Sequence, residues 1–340
     1  LDAVTGLRLL ALGRAPPHRL LPHRRLHEGH AARHDVVERG HALEKGDVLV
    51  VDEAGMIGTR QLARIAAKTA ELGAKLVLVG DPEQLQPIEA GMPFRDLVDE
   101  HGAAHLTEIH RQKDDWQRRA TTMLAEGETA EAINLHKQRG GVPRSPDEIA
   151  ALAETYALDA ISPGGGSQLA LAHSRREVHA LNQAIRTALR SEEAPPDVLI
   201  ETENGLRGFA PGVRLVFTRN DRDVGVKNGM RGTVVSSSAS RISVRLDGAE
   251  PRIVTFNPRH CRKFDHGYAV AIHKAQGVTV DRAYVLGSRS MDRHLAYVAI
   301  TRHRIGLRLF LSGENEPAWS RRPPTPRRRS RLHGRAGPAP

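Results

Sequence analysis

Two runs of branched apolar residues, VLVV at residues 48–51 and KLVLVG at residues 75–80, stand out from the polar positions around them. A short continuous apolar run bounded by polar and glycine residues predicts a strand that is buried on both faces, as in a parallel sheet packed between helices. Ligands of such sheets gather at the carboxyl ends of the strands. We therefore expect the residues that end or follow the two runs to meet at one edge: Asp52, Glu53, Gly80, Asp81 and Gln84.

The spacing of apolar residues around these runs predicts helices that connect the strands. Four apolar residues between the runs recur at helical intervals: Leu62, Ile65, Ala66 and Leu72. Gly73 then ends that helix, which makes a strand–helix–strand crossover. Residues 103–106 predict another short strand, and residues 112–140 predict a charged helical stretch that ends at two glycines.

A second unit is predicted from Val142 onward. Residues 148–159 predict a helix, QLALA at residues 168–172 predicts a buried strand, and residues 176–190 predict an amphipathic helix. Between residues 211 and 260 the pattern changes to short alternating segments punctuated by Gly and Asn-Asp, which is typical of an antiparallel barrel or meander. These patterns predict an α/β unit followed by a second unit with a small β insertion.

The carboxylates at the predicted edge have the chemistry that nucleotide hydrolysis requires. Magnesium takes hard oxygen ligands, so Asp52 is the predicted metal contact. Glu53 is expected to polarise the attacking water, because adjacent residues of a strand point to opposite faces unless the strand has already ended. Gln84 can sense a terminal phosphate without carrying charge. An isolated Asp-Glu pair is more often a solvated turn, but the GDPEQLQP segment after the second run favours the nucleotide site.

Five motif-like segments follow one another between about residues 47 and 311: VVDEAGM, VGDPEQLQPIEAG, LTEIHRQ, HGYAVAIHKAQGVTVDRAYVL and AYVAITRHR. They resemble successive motifs of superfamily 1 DNA helicases, most closely the RecD-like branch and, within it, the helicase portion of Ti-type conjugative-transfer relaxases. Five motifs in this order are far more specific than any one of them. The resemblance implies an ATP-dependent helicase that binds ATP and Mg²⁺ and moves 5′ to 3′ on single-stranded DNA.

The resemblance also implies the fold. We expect an α/β protein with two RecA-like P-loop NTPase-type domains, built of parallel sheets between helices, and an SH3-like β insertion that helps to guide DNA. The first domain is expected to be incomplete. The predicted division is 1–42 for an aberrant or disordered basic segment, 43–141 for the partial first domain, 142–210 and 261–315 for the second, 211–260 for the insertion and 316–340 for a disordered basic tail.

Roles for residues of the later motifs follow from the same resemblance. Arg302 matches an arginine that crosses from the second domain to the nucleotide bound by the first, and Arg111 matches one that also reaches the phosphates. A guanidinium suits this role because it forms paired hydrogen bonds to phosphate oxygens. The HKAQG segment, with Thr279 two residues beyond it, is expected to couple contact with the DNA strand to the state of the nucleotide; the residues are His273, Lys274, Gln276, Gly277 and Thr279. For His273 the alternative is a buried imidazole whose hydrogen bonds are satisfied within the protein.

Aromatic side chains are scarce, at 4% of the chain, although stacking is worth about 1–3 kcal/mol per base in single-strand binding. Trp116 lies between Asp115 and Arg118 in the charged helical stretch, so it is the predicted exposed stacking platform. Tyr297 is expected to lie in the core, within a strand formed by AYVAITR.

The net charge of +10 suits a polyanionic partner such as DNA, although the basic excess is concentrated at the ends. Cys261 is the single cysteine, which excludes an internal disulfide framework and a zinc site built from a cysteine cluster. The sequence has no apolar run long enough to span a bilayer and no signal-peptide pattern. We expect a cytoplasmic protein, with conjugation or DNA-processing proteins as further partners and no membrane contact.

A phosphate-binding loop, GxxxxGK followed by serine or threonine, is expected upstream of the first run, since its backbone amides and lysine hold phosphates. No such run occurs in the 340 residues. We therefore expect a fragment with impaired or absent hydrolysis, whose termini are basic disordered arms or are translated in a shifted frame. Two classes stay open: a helicase motor whose phosphate loop lies on a missing segment, and a DNA-binding remnant that turns over no ATP.

Overall fold

The computed structural model describes residues 7–12 and 43–311, apart from positions 86, 88, 107, 163, 165, 192, 249 and 250. Predictions for residues 1–6, 13–42 and 316–340 lie outside the described residues. Among the helices of the described part, none is both long enough and apolar enough to cross a membrane.

The first lobe contains the predicted crossover. It consists of four strands and two helices: β1 (Leu7–Leu12), β2 (Val48–Val51), α1 (Thr59–Glu71), β3 (Lys75–Gly80), α2 (Pro93–His101) and β4 (Ala104–Leu106). β2 and β3 pair in parallel, with Val48 opposite Lys75. Gly73 has a φ of 65° after α1, a left-handed conformation that glycine adopts without strain and that turns the chain into β3.

β1 makes the first sheet mixed rather than purely parallel. The strand order is β2-β3-β1-β4. β1 runs antiparallel to both of its neighbours, with Leu9 opposite Val79 on one side and Ala104 on the other. This differs from the aberrant or disordered segment that the sequence predicts for residues 1–42, because the backbone of residues 7–12 pairs with two strands that would otherwise have open edges.

Two helices, α3 (Asp115–Glu126) and α4 (Thr129–Gln138), form where the sequence predicts one charged helical stretch. Gly127 separates them with a φ of 85°. Their buried residues Ala120, Leu124 and Ile133 join the apolar cluster of the second sheet, not that of the first lobe. The second core therefore extends back past the predicted boundary at residue 141.

The second lobe is built on a purely parallel sheet with the order β13-β5-β14-β15. Its strands and helices are α5 (Glu148–Ile161), β5 (Gln168–Ala172), α6 (Arg175–Ala188), β13 (Ala269–Ala271), β14 (Val280–Leu286), α7 (Arg293–Ile300) and β15 (His303–Phe310). The predicted strand at residues 168–172 and the helix after it are confirmed. Ser174 and Glu177 start α6 as a capping box, in which each side chain accepts from the other's backbone amide.

The β insertion is antiparallel, as the alternating pattern predicts. A five-stranded sheet has the order β11-β10-β9-β8-β12, and a separate hairpin is formed by β6 and β7. The strands are β6 (Val198–Thr202), β7 (Gly205–Phe209), β8 (Arg214–Phe217), β9 (Arg231–Ser237), β10 (Ile242–Leu246), β11 (Ile253–Phe256) and β12 (Phe264–His266). Phe217 and Phe264 share one core cluster with Leu181 of α6, so the insertion is packed onto the second lobe.

The AYVAITR segment forms a helix, and the prediction of a strand there is wrong. Asp292 caps α7, with its Oδ1 accepting from the Leu295 amide at 2.8 Å. Every residue from 295 to 300 is buried. A helix that is buried on all sides has the same continuous apolar run as a buried strand, so periodicity alone does not separate them. The aspartate just before the run is the signal that favours the helix.

Candidate functional site

The chain turns sharply where β2 ends. Among the described non-glycine residues, Glu53 is the one with positive φ, at 54°. Asp52 holds the turn, since its Oδ1 accepts from the Glu53 amide at 2.9 Å. A left-handed glutamate costs on the order of 1 kcal/mol or more, and such strain collects at functional sites. Because the strand has ended at Val51, the two carboxylates are turn residues and need not point to opposite faces.

Asp52 is exposed and Glu53 is half-buried, so the carboxylate of Asp52 is open to a cation. In the described part of the chain, no group of three or more His, Cys, Asp or Glu side chains is arranged to hold a metal by itself. A single open carboxylate fits Mg²⁺ that takes its other oxygens from water and phosphates. The residues present therefore fit a nucleotide-borne magnesium ion.

The turn after β3 is organised by Asp81. Its Oδ1 accepts from the Glu83 amide at 2.9 Å, and its Oδ2 accepts from Gln84 Nε2 at 3.3 Å. Gly80 allows this turn to lie against the turn after β2, because a Cβ there would be 3.1 Å from the amide nitrogens of both Ala54 and Gly55. The sheet edge thus brings the turn that carries Asp81 and Gln84 against the turn that follows β2.

The side chain of Asp81 has a raised pKa. Burial raises its pKa from 3.8 to about 7, and the hydrogen bonds from Tyr297 and Gln84 only partly oppose that rise. The Oε1 of Gln84 is buried without a hydrogen-bond partner. The hydroxyl group of a protonated Asp81 would give this turn a donor, and Gln84 Oε1 is free to accept a hydrogen bond from it.

Arg302 lies in the interior, only 2% exposed. Its Nε donates to Val298 O at 2.7 Å and its Nη2 donates to Thr301 Oγ1 at 3.0 Å. Burial lowers the pKa of Arg302, while Glu53, Tyr297 and Asp81 oppose this shift. The guanidinium is therefore within electrostatic reach of the carboxylates of the other lobe.

Arg111 lies beside the guanidinium group of Arg302. Its Nη1 donates to Thr301 O at 2.8 Å. Burial, and then the charge of Arg302, lower the pKa of Arg111 to about 9. The two guanidinium groups lie close together, since both donate to Thr301, and a pair of neighbouring guanidinium groups suits an anion.

The two lobes meet along a surface that we call the seam. It is formed by Glu53, Asp81 and Glu83 of the first lobe and by Gln276, Arg293, His294 and Tyr297 of the second. Gln276 Nε2 donates to Glu53 Oε2 at 3.4 Å, Arg293 forms an ion pair with Glu83, and His294 Nδ1 contacts Glu83 O at 2.7 Å. Gln276, predicted to contact DNA, therefore also reaches the nucleotide edge.

The remaining HKAQG residues form an exposed corner of the second lobe. His273 and Lys274 are exposed on a 3-10 turn, Ile272–Ala275, so the buried-imidazole alternative for His273 is wrong. Gly277 follows with a φ of 72°, and Thr279 is half-buried at the start of β14. Partial desolvation of its ammonium group, and then the charge of Arg175, lower the pKa of Lys274.

Sequence reasoning missed three residues beside this corner: His173, Arg175 and Ser290. The His173 ring lies 5.8 Å from the His273 ring, and its Nδ1 contacts Ser290 Oγ at 2.7 Å. His173 follows β5 directly, as Asp52 follows β2, so its place at the carboxyl end of a parallel strand is the signal that could have found it.

Trp116 is not the exposed platform that the sequence predicts. It is half-buried, with His136 at 5.2 Å in an edge-to-face arrangement and the Arg139 guanidinium at 5.4 Å from its ring centroid. These contacts use the ring to join α3 and α4. The reason is tertiary: a helix that looks charged on all sides still buries one side against α4 and β15.

The chain is similar in sequence to known transfer proteins and helicases. A family model described as an AAA domain matches residues 18–147. A probable conjugal transfer protein TraA of Sinorhizobium fredii is 44% identical over 272 residues, which are 79% of this chain and 25% of that protein. An ATP-dependent RecD2 DNA helicase of Deinococcus radiodurans is 27% identical over 286 residues, which are 80% of this chain and 37% of that one.

Solved structures support the fold. A crystal structure of Bacteroides Pif1 bound to ssDNA superposes with a TM-score of 0.53 and 19% sequence identity, over 80% of this chain and 72% of that one. The two-lobed α/β architecture, with parallel strand pairs in both lobes, is therefore the RecA-like fold. The chain spans about a quarter of the length of the conjugal transfer proteins that it matches.

Proposed function

We propose that this chain, as a member of the RecD-like branch of superfamily 1 helicases, is the motor module of an ATP-dependent single-stranded DNA helicase. It is related in sequence to conjugal transfer proteins. One observation carries the proposal: the buried Arg302 and the half-buried Arg111 both donate to Thr301, and Glu53 of the other lobe acts on the charge of each. Phosphate is the anion whose geometry two guanidinium groups match best.

Each residue of the first lobe has a role in this proposal. ATP with Mg²⁺ supplies the phosphoanhydride bond and the negative charge that the site neutralises. Asp52 holds the metal, Glu53 orients and polarises a water molecule, and Gln84 donates to the terminal phosphate. Gly80 and Asp81 shape the turn that holds Gln84, and Gly277, with a φ of 72°, shapes the turn that follows Gln276.

Arg302 connects hydrolysis to movement. It belongs to the second lobe by its bonds to Val298 O and Thr301 Oγ1, yet its charge acts on Glu53 of the first. An arginine whose anion is consumed and released would alternately draw the lobes together and let them part. Such closure and opening is the physical basis of stepping along a strand.

DNA contact is proposed at the exposed corner of the second lobe. His273, Lys274 and Thr279 lie there, and His173 and Arg175 add polar and cationic groups beside them. Phosphate contacts of this kind supply sequence-independent, salt-dependent affinity. Cytoplasmic location and other conjugation proteins as partners belong to the same proposal.

A DNA-binding remnant without ATP turnover is the second candidate. The observation that favours it is the lack of a GxxxxGK loop followed by serine or threonine in the 340 residues. Phosphate release by the purified chain, with and without a single-stranded oligonucleotide, tests the two. We expect a rate at the buffer background for this chain alone, and a robust DNA-dependent rate would overturn the remnant.

The motor proposal has its own positive test. Joining the chain to an upstream strand and a phosphate loop of the form GxxxxGK followed by serine or threonine should restore DNA-dependent turnover, and Glu53→Gln should abolish it again. If the joined protein folds and binds nucleotide but Glu53→Gln hydrolyses ATP as fast as the parent, the role assigned to Glu53 is wrong.

DNA binding is tested on the chain as it is. Lys274→Ala should weaken binding of a fluorescent single-stranded oligonucleotide roughly tenfold, because a charged hydrogen bond to phosphate is worth about 1.5 kcal/mol or more. Fluorescence anisotropy at several salt concentrations should also show that the slope of log affinity against log salt concentration is smaller by about one in the variant. The matched control is Lys68→Ala, an exposed lysine on α1. Equal effects of the two substitutions would remove the corner from the DNA path.

A further inference from the structure

Tyr297 joins the two lobes through a buried hydrogen bond. Its hydroxyl donates to Asp81 Oδ2 at 2.9 Å, across 216 positions of the chain. Tyr297 is 2% exposed and Asp81 is 4% exposed, so water does not compete for this bond. A hydroxyl and a carboxylate that satisfy each other in the interior resist separation, because parting the lobes would leave both unpaired until water entered.

A continuous hydrogen-bond path runs through this contact. On the first-lobe side, Asp81 Oδ2 also accepts from Gln84 Nε2 at 3.3 Å. On the other side, Tyr297 O accepts from Thr301 Oγ1 at 2.8 Å. Thr301 then accepts from both arginines, through Oγ1 from Arg302 Nη2 at 3.0 Å and through its carbonyl from Arg111 Nη1 at 2.8 Å.

The path links the residue assigned to the terminal phosphate with both arginines. We propose that Tyr297 is a positioning residue. It joins the turn that carries Gln84 to the turn that carries Arg302, and so sets the distance between these two turns across the seam. This rests on the proposed function for its purpose, but the contact itself is a property of the chain without nucleotide or DNA.

The other contacts across the seam are expected to hold the lobes together less strongly than the Tyr297–Asp81 hydrogen bond. The Arg293–Glu83 ion pair and the His294–Glu83 contact involve side chains that keep part of their surface in solvent. An ion pair between largely buried side chains gains little net stability, because the desolvation of both charges offsets their attraction. Tyr297 is therefore the contact whose loss should be felt across the whole seam.

Charged groups face the Tyr297–Asp81 contact from three elements. Glu53 from the turn after β2 raises the pKa of Asp81, whereas Arg302 after α7 lowers it. Arg111 and Arg302 lower the pKa of Tyr297, against the larger effects of burial and Asp81 that raise it. The Tyr297 hydrogen bond also lowers the pKa of Asp81, so removing the hydroxyl should make Asp81 hold its proton to higher pH.

The experiment compares Tyr297→Phe with Tyr284→Phe in the full chain. Tyr284 is the matched control, because its hydroxyl donates to Asp159 Oδ2 at 2.7 Å within the second lobe. Hydrogen exchange is followed by mass spectrometry at the turn 81–85 and at residues 111–113. We expect exchange there to speed up at least tenfold in Tyr297→Phe and to remain unchanged in Tyr284→Phe.

Spin labels at Ala67 of α1 and Glu154 of α5, both exposed, give a second readout. The distance distribution between them should broaden in Tyr297→Phe and stay narrow in the control. The pH midpoint of the change in melting temperature should move upward in Tyr297→Phe alone, which a mere loss of packing would not cause. Unchanged exchange, distances and midpoint would overturn the proposal.

A conservative variant keeps the test decisive if Tyr297→Phe does not fold. Asp81→Asn preserves an acceptor and a donor at the seam, so it should keep the narrow distance distribution, and a broad one would count against the proposal. These readouts need neither ATP nor DNA. A chain that binds no DNA but shows the expected seam behaviour would sink the proposed function alone, whereas normal DNA binding with an unaffected seam would sink the role of Tyr297 alone.

Discussion

Replacing Asp81 with asparagine should make the protein more stable at neutral pH. In the folded chain the pKa of Asp81 is raised from 3.8 to about 7 by burial. A carboxyl group with a raised pKa contributes its full stability below pH 3.8, where it is protonated in both states. That contribution is lost as the pH rises through about 7, because the unfolded chain then binds fewer protons than the folded one.

The magnitude follows from the shift. A difference of about 3 pKa units corresponds to about 4 kcal/mol at 1.36 kcal/mol per unit. Between pH 5 and pH 8 about 3 kcal/mol of this is lost in the wild type, since the group titrates near pH 7. Asp81→Asn has no proton to lose, so its free energy of unfolding should not contain this decline.

The structure accommodates the substitution. The amide oxygen can keep the bond from the Glu83 amide, and the amide nitrogen takes the place of Oδ2. There it can donate to Tyr297 or to Gln84 Oε1, which is buried and unpaired in the wild type. The Tyr297 hydroxyl and Gln84 Nε2 then lose Oδ2 as their acceptor, at a cost of about 1–3 kcal/mol that is the same at every pH and does not alter the change of the difference with pH.

Urea unfolding, followed by far-ultraviolet circular dichroism at pH 5, 6, 7 and 8, measures the effect. The difference in free energy of unfolding between Asp81→Asn and wild type should grow by about 3 kcal/mol from pH 5 to pH 8. Taking the difference cancels the other titrating groups. The exposed Asp99→Asn on α2 is the control and should show no such growth. A difference for Asp81→Asn that stays constant with pH would refute the reasoning.

Two further predictions concern packing and acid stability. Gly80→Ala should lower the free energy of unfolding by about 1–3 kcal/mol, because its Cβ would press on backbone at 3.1 Å, whereas Gly306→Ala in β15, with its nearest atom at 3.8 Å, should be nearly neutral in the same urea titration. Burial lowers the pKa of His303 to about 3, so its contribution is present above the unfolded pKa of 6.5 and is lost as the pH falls below it. His303→Gln should therefore lose about 1.4 kcal/mol less per pH unit than wild type between pH 6 and pH 4, and parallel acid-unfolding curves would contradict this.

The strands that build the nucleotide edge could be predicted because their signal is local. Residues 75–80 and 168–172 are apolar on both faces, are bounded by breakers and form inner strands of their sheets. The strand at residues 48–51 lies at the edge of its sheet and Val50 is 40% exposed, so its predicted burial on both faces is wrong. The turns after β2 and β3 still lie at one edge, since neighbouring parallel strands end on the same side.

The errors came from segments whose local pattern permits two structures. The run from 295 to 300 is apolar throughout, and burial on all sides suits a helix as well as a strand. Trp116 lies in a charged stretch, but α4 covers its ring. The strand at residues 7–12 forms by pairing with β3 and β4. The local pattern of apolar and polar residues does not predict this pairing.

By itself, then, the sequence determined the buried strands, their order along the chain and the residue types at their ends, because those depend on near neighbours. Only the tertiary structure decided that Tyr297 meets Asp81, that Arg302 is buried within reach of Glu53, and that α3 and α4 pack on the second core. Such contacts join positions about 200 residues apart. They depend on how whole lobes pack, and no short window of residues contains that information.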